Sequence, residues 1–211
     1  MSAAGGARAL PDDPRCRDLL ACWFGDGDTN AAVIAARAAQ WFGGGPTVDA
    51  EIRERFAHSH AAAVAGALES WLALPLGRLA LVILADQVSR HLFRGDPRAF
   101  AQDALALGWA TDGIAAGIER DLRAIERMFL YLPLEHSESL ADQQRSVALF
   151  RSLAASVAPE ERAAFDGFTE YAERHHAIIA RFGRFPHRNA ILGRSSTPEE
   201  IAFLREPGSS F

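Results

Sequence analysis

The chain has 211 residues, with 22 Lys and Arg against 27 Asp and Glu and a formal net charge of −5. That length suits a single domain, residues 1–211, with a sizeable core, and the acidic balance excludes a general attraction for nucleic acid. No apolar run is long enough to cross a bilayer, and MSAAGGARALPDDP lacks the charged start and apolar centre of a signal peptide, so a cytoplasmic protein with no membrane partner is expected.

In chain order, residues 1–13 are expected to be poorly ordered, and the first helix runs from Pro14 to Phe24 on Leu19, Leu20, Cys22 and Trp23. Cys16 and Cys22 are too few for a disulfide framework and lack a second ligand pair at zinc spacing, so they read as reduced thiols. In GDGDTN, Asp26, Asp28 and Asn30 imitate the opening of a calcium loop. Ala31 stands where that loop needs glycine and Arg37 where it needs glutamate, so Thr29 or Asn30 caps a helix from Ala31 to Trp41 instead. A long helix is predicted from Asp49 to Leu72, carrying His58 and His60 as partly exposed surface residues.

Pro75 starts a helix that is apolar nearly all round through Ala85, the expected central buried helix. Asp86, Gln87, Arg90 and Arg94 follow on or beside the stripe of Leu79 and Ile83, with Asp86 and Arg90 spaced for an i, i+4 pair. Asp96 and Pro97 open a helix to about Ala110, and another from Asp121 to Tyr131 leads into the polar cluster Glu135, His136, Ser137 and Glu138. A helix from Ser139 to Leu153 follows, and a long one begins at Pro159.

The segment from Arg174 to Glu206 concentrates cationic, aromatic and turn-forming residues. Its helix stripe holds His175, and Gly183 is placed to cap it. Pro186 opens a short turn that exposes His187, Arg188 and Asn189 beside free backbone N–H groups, a place that attracts anions. Thr197, Pro198, Glu199 and Glu200 spell a capping box for a last helix. No alternating strand pattern occurs. The fold class is all-α, an antiparallel array of about eight to ten helices with no sheet.

Trp41-Phe42 followed by Phe56, the central LVILADQVSRHLFRGD, the block MFLYLPLEHSESLADQQRSVALF, and RFGRFPHRNAILGRSSTPEEIAFL with its Gly-Ser-Ser-Phe ending resemble the bacterial family labelled domain of unknown function 924. The resemblance covers nearly the whole chain and implies a helical fold resembling tetratricopeptide repeats, with no activity attached. The family form of the central motif resembles Asp-Gln-Phe-Pro-Arg-Asn, where this chain has Val88, Ser89 and His91 in place of the Phe, Pro and Asn.

Two functional readings and one structural reading compete. In the first, Asp86, Arg90, Arg94, Arg184, Arg188 and Asn189 bind a small phosphorylated or carboxylated ligand, and Glu135, His136 or His187 handle protons, most simply in a hydrolase. No cofactor is implied; a metal version would use Glu135 and Glu138 at i, i+3 with His136, His175 or His176. In the second, the helices form a groove for a peptide or protein partner, without chemistry. In the third, the same side chains cap helix ends and pin the last segment to the central helix. Oligomeric state is left open.

Overall fold

The computed structural model describes residues 9–209, and among these no strand occurs. The α-helices are α1 (Pro14–Phe24), α2 (Asn30–Ala38), α3 (Pro46–Val64), α4 (Pro75–Val82), α5 (Ser89–Leu92), α6 (Asp103–Ala115), α7 (Ala124–Glu135), α8 (Leu140–Ser156), α9 (Arg162–Phe182) and α10 (Pro198–Phe203). Several ends follow local chemistry. Asp13 accepts the Arg15 N–H at 2.9 Å, Thr29 caps α2, Ser139 caps α8, and Thr197 with Glu200 forms the expected capping box. α9 ends at Gly183 with φ 68°, a left-handed position that glycine adopts without strain.

The long helix expected to Leu72 stops at Val64, and a 3-10 turn, Glu69–Ala73, precedes α4. Likewise Asp96 caps a 3-10 turn, Pro97–Phe100, rather than α6 itself. α7 continues past its expected end through Pro133, which has no N–H to donate to the Phe129 carbonyl one turn earlier. Residues 1–8 of the segment expected to be poorly ordered lie outside the described residues. Leu10 packs on the core and Pro11 is buried. A Cβ on Gly77 would meet Pro11 Cγ at 2.7 Å and collide with the Trp71 carbonyl, so α4 approaches this segment and the preceding turn as only glycine permits.

α4 leads without a break into a π-helical turn, Ile83–Val88, whose six residues are all buried, and then into α5. A π turn widens the helix and shifts the register of its carbonyls. Side chains meet two of them here: Ser89 Oγ donates to the Ala85 carbonyl at 2.6 Å, and Arg90 Nη1 donates to the Asp86 carbonyl. Ser89 in turn contacts His60 Nε2 at 2.9 Å, so His60 is buried and serves the central helix, not the surface expected for it.

The main core joins α1 to α9 around Trp23, Phe24, Trp41 and Phe129, whose rings meet edge to face, for example Trp41 and Phe129 at 4.9 Å. Connections of four and five residues make α7, α8 and α9 successive antiparallel neighbours. At the C-terminal end of α9, Ile178 and Ile179 form a second, smaller core with Phe185 just beyond the helix and with Phe182 and Phe203. This satellite core anchors the returning C-terminal segment.

Candidate functional site

Five separate pieces of chain bring polar groups to one place. The π turn and α5 supply Asp86, Gln87 and Arg90; the start of α6 supplies Asp103; the end of α7 supplies Glu135 and His136. α9 supplies His175, and the 3-10 turn Pro186–Arg188 supplies His187 and Arg188.

Asp86 is fully buried. Its Oδ1 accepts from His136 Nδ1 at 2.7 Å and lies 3.3 Å from Arg90 Nη1, while Oδ2 accepts from Gln87 at 2.6 Å. Burial opposes its ionisation, but Arg90 and His136 outweigh that and hold the carboxyl below its ordinary value. The carboxylate therefore fixes the His136 tautomer with the proton on Nδ1 and the lone pair on Nε2. Burial, against the opposing pull of Asp86, lowers the His136 pKa, so the ring is neutral at pH 7.

Glu135, the preceding residue, behaves differently. Burial, reinforced by the Asp86 charge, pushes its carboxyl up to about 8, so it is mostly protonated at neutral pH. Its Oε1 lies 3.2 Å from His175 Nδ1, a nitrogen that also donates to the Tyr171 carbonyl at 2.8 Å. Burial and the nearby His136 push His175 down to about 3, which makes the Glu135–His175 approach a contact between neutral groups, not an ion pair. Burial and Arg188 push His187 down to about 4.

Arg188 donates to Asp103 Oδ2 and to the His136 carbonyl, both at 3.1 Å, and its guanidinium carbon lies 4.6 Å from the rings of both Phe100 and Phe185. Burial lowers its pKa to about 10, which leaves it charged at pH 7. Gln143, fully buried on α8, donates to the carbonyls of Glu135 and Ser137 at 2.6 and 2.7 Å, so Arg188 and Gln143 together satisfy the C-terminal end of α7.

The expected site thus divides. Asp86, Arg90, Glu135, His136 and Arg188 come together, with His187 beside Phe185, their ring centroids 5.5 Å apart. Arg94 does not join them: α5 ends at Leu92, and Arg94 turns outward to pair with Asp49 at 2.6 Å beside His91. Arg184 and Asn189 bind Glu200 instead, Arg184 at 2.7 and 2.8 Å and Asn189 at 3.3 Å. Arg188 and Asn189, expected on the open edge of a turn, are 6% and 1% exposed because the turn is folded inward. Glu138 goes to Arg194 at 2.6 and 2.9 Å and accepts the Phe185 N–H at 2.7 Å, so it does not join Glu135 as a ligand pair. His176 is half-buried, unlike the buried His175 beside it, and no group of three or more His, Cys, Asp or Glu able to hold a metal occurs among the described residues.

Asp103 is the member that the sequence reading missed. It sits 13 positions from Arg90 and 85 from Arg188, and as the first residue of α6 it reads in sequence only as an acid at a helix start. Surface recesses of about 180 Å³ beside Phe24 and Arg123 and about 240 Å³ beside Tyr131 and Arg127 do not reach the cluster.

Residues 19–208 are similar to a family described as bacterial protein of unknown function (DUF924). A solved structure of a protein of unknown function from Agrobacterium tumefaciens is 35% identical, with a TM-score of 0.70 over 84% of this chain and 99% of that one. No curated protein matches the chain.

Proposed function

The chain belongs to the DUF924 family of bacterial proteins, whose function is unknown, and from that premise we propose that its buried cluster is an acid–base site for a small anionic ligand. The observation that carries the reading is the 2.7 Å contact from His136 Nδ1 to the buried Asp86 carboxylate, with a protonated Glu135 on the adjacent residue. An imidazole held in one tautomer by a carboxylate is a general base, and a neighbouring acid that keeps its proton at pH 7 is a general acid. Arg90 and Arg188 offer two guanidiniums for an anionic group. The simplest reaction for such a set is hydrolysis. His136 Nε2 takes a proton from water as the hydroxide attacks, and Glu135 gives its proton to the leaving group. A partner-binding groove lined by these side chains gains no support, because they close on one another.

The test is a thermal-shift screen against inorganic phosphate, sugar phosphates, nucleotides and carboxylates, repeated with His136→Gln and Arg188→Met. A ligand at a hundred times its dissociation constant adds about 2.7 kcal/mol, a shift of several degrees at this size. A shift in the parent chain that both variants lose is expected. No shift with any compound, from a protein whose variants merely melt earlier, would overturn the reading and leave a network that only holds helices together.

A further inference from the structure

The space between Arg90 and Arg188 is already filled by a carboxylate of the chain itself. Asp103 Oδ1 lies 3.1 Å from Arg90 Nη1, and Oδ2 lies 3.4 Å from Arg90 Nη2 and 3.1 Å from Arg188 Nη1. These contacts are long for arginine and carboxylate. The Glu138–Arg194 pair closes at 2.6 and 2.9 Å, Glu200–Arg184 at 2.7 and 2.8 Å, and Asp49–Arg94 at 2.6 and 2.8 Å. Asp103 therefore sits in a two-arginine seat without the fit that other pairs in the same molecule achieve.

Position and charge add to this. The side chains of Asp103 and Arg90 are 20% and 22% exposed, against 1% for Asp86 and 8% for Arg188, so Asp103 forms the outer edge of the cluster. Arg188 keeps its place without Asp103, because it is held between Phe100 and Phe185 and bonded to the His136 carbonyl. With Glu135, His136 and His175 neutral, Asp86 and Asp103 balance Arg90 and Arg188. A further anion would leave uncompensated negative charge in a buried place unless Asp103 moved out.

We infer that the ligand of this site carries a carboxylate that takes the seat of Asp103 between Arg90 and Arg188, while Asp103 turns outward. A carboxylate exchanges one negative charge for one and offers the same two oxygens, whereas a phosphate dianion would leave an extra charge beside Asp86. The inference rests on the ligand-site reading proposed above and narrows its ligand to one chemical class.

The experiment uses the full chain with Asp103→Ala and measures thermal midpoints in chloride, acetate and inorganic phosphate at constant ionic strength. Acetate is expected to raise the midpoint of Asp103→Ala saturably, binding at least about ten-fold more tightly than to the parent chain, because an internal competitor has been removed. Phosphate should give no such effect, and Asp103→Ala with Arg188→Met should lose the response to acetate. Equal midpoints in acetate and chloride, or equal rescue by phosphate, would overturn the inference. Should Asp103→Ala not fold, Asp103→Asn is read in the same way. A compound that binds through His136 and Arg188 but carries no carboxylate would overturn this inference while leaving the acid–base reading in place.

Discussion

Glu135 and Glu138 stand three positions apart at the end of α7, yet they belong to two different kinds of region. Glu138 is part of a clasp: it is gripped by both terminal nitrogens of Arg194 and by the Phe185 N–H, and these partners outweigh burial and lower its pKa. Glu135 faces neutral His175 and the charge of Asp86, and burial raises its pKa to about 8. The clasp continues through Arg184, Glu200 and Asn189, holding the C-terminal segment by short contacts between opposite charges. Around Asp86 the same residue types are buried with displaced titrations and a loosely seated bridge at Asp103. The groups of the clasp are matched to partners that favour their common charge state, and so are Asp86 and Arg90. Glu135 departs from that rule, the kind of displacement that groups in proton-handling sites share.

Four substitutions test that contrast. The largest loss is expected for Asp86→Ala, which strands Arg90 and His136 without their buried carboxylate and should cost about 3–5 kcal/mol in denaturant titration. A loss below about 1 kcal/mol would place Asp86 with ordinary surface pairs.

Glu135→Gln should change the pH dependence of stability. Because the folded carboxyl is raised to about 8, the unfolded chain loses that proton first, and parent stability falls as pH rises from about 4.5 to 8 by up to about 1.4 kcal/mol per unit. The variant should lack this fall, so its advantage over the parent grows between pH 5 and 8. A constant difference across that range would mean that Glu135 is ionised like Glu138. His175 and His187 act in the opposite direction: their lowered pKa values remove stability as pH falls below about 6.5, in both proteins alike.

Glu138→Ala should cost about 2 kcal/mol, the scale of hydrogen bonds to a charged group, and should do so evenly across neutral pH. A strong pH dependence at this position would erase the distinction between clasp and cluster. The smallest effect belongs to Thr197→Ala, which removes the cap of α10 and should cost about 1 kcal/mol. An effect confined to melting, with ligand-dependent shifts unchanged, would keep α10 within the clasp.

The sequence by itself determined the helical class, the buried central helix through Ala85, and the ends set by Thr29, Gly183 and Thr197. Each of these depends on residues within a turn of one another, where capping geometry and glycine's freedom act without help from the rest of the chain. It also drew attention to Asp86, Arg90, Glu135, His136 and Arg188, because charged residues amid apolar runs must find partners. Only the tertiary structure decided which partners. The π turn at Ile83–Val88 and the end of α5 sent Arg94 outward, packing on Ser89 buried His60, and the satellite core around Phe185 folded Arg188 and Asn189 inward. Asp103 met Arg188 across 85 positions of chain for the same reason: a contact between distant segments is set by how helices pack, and no local pattern of residues encodes it.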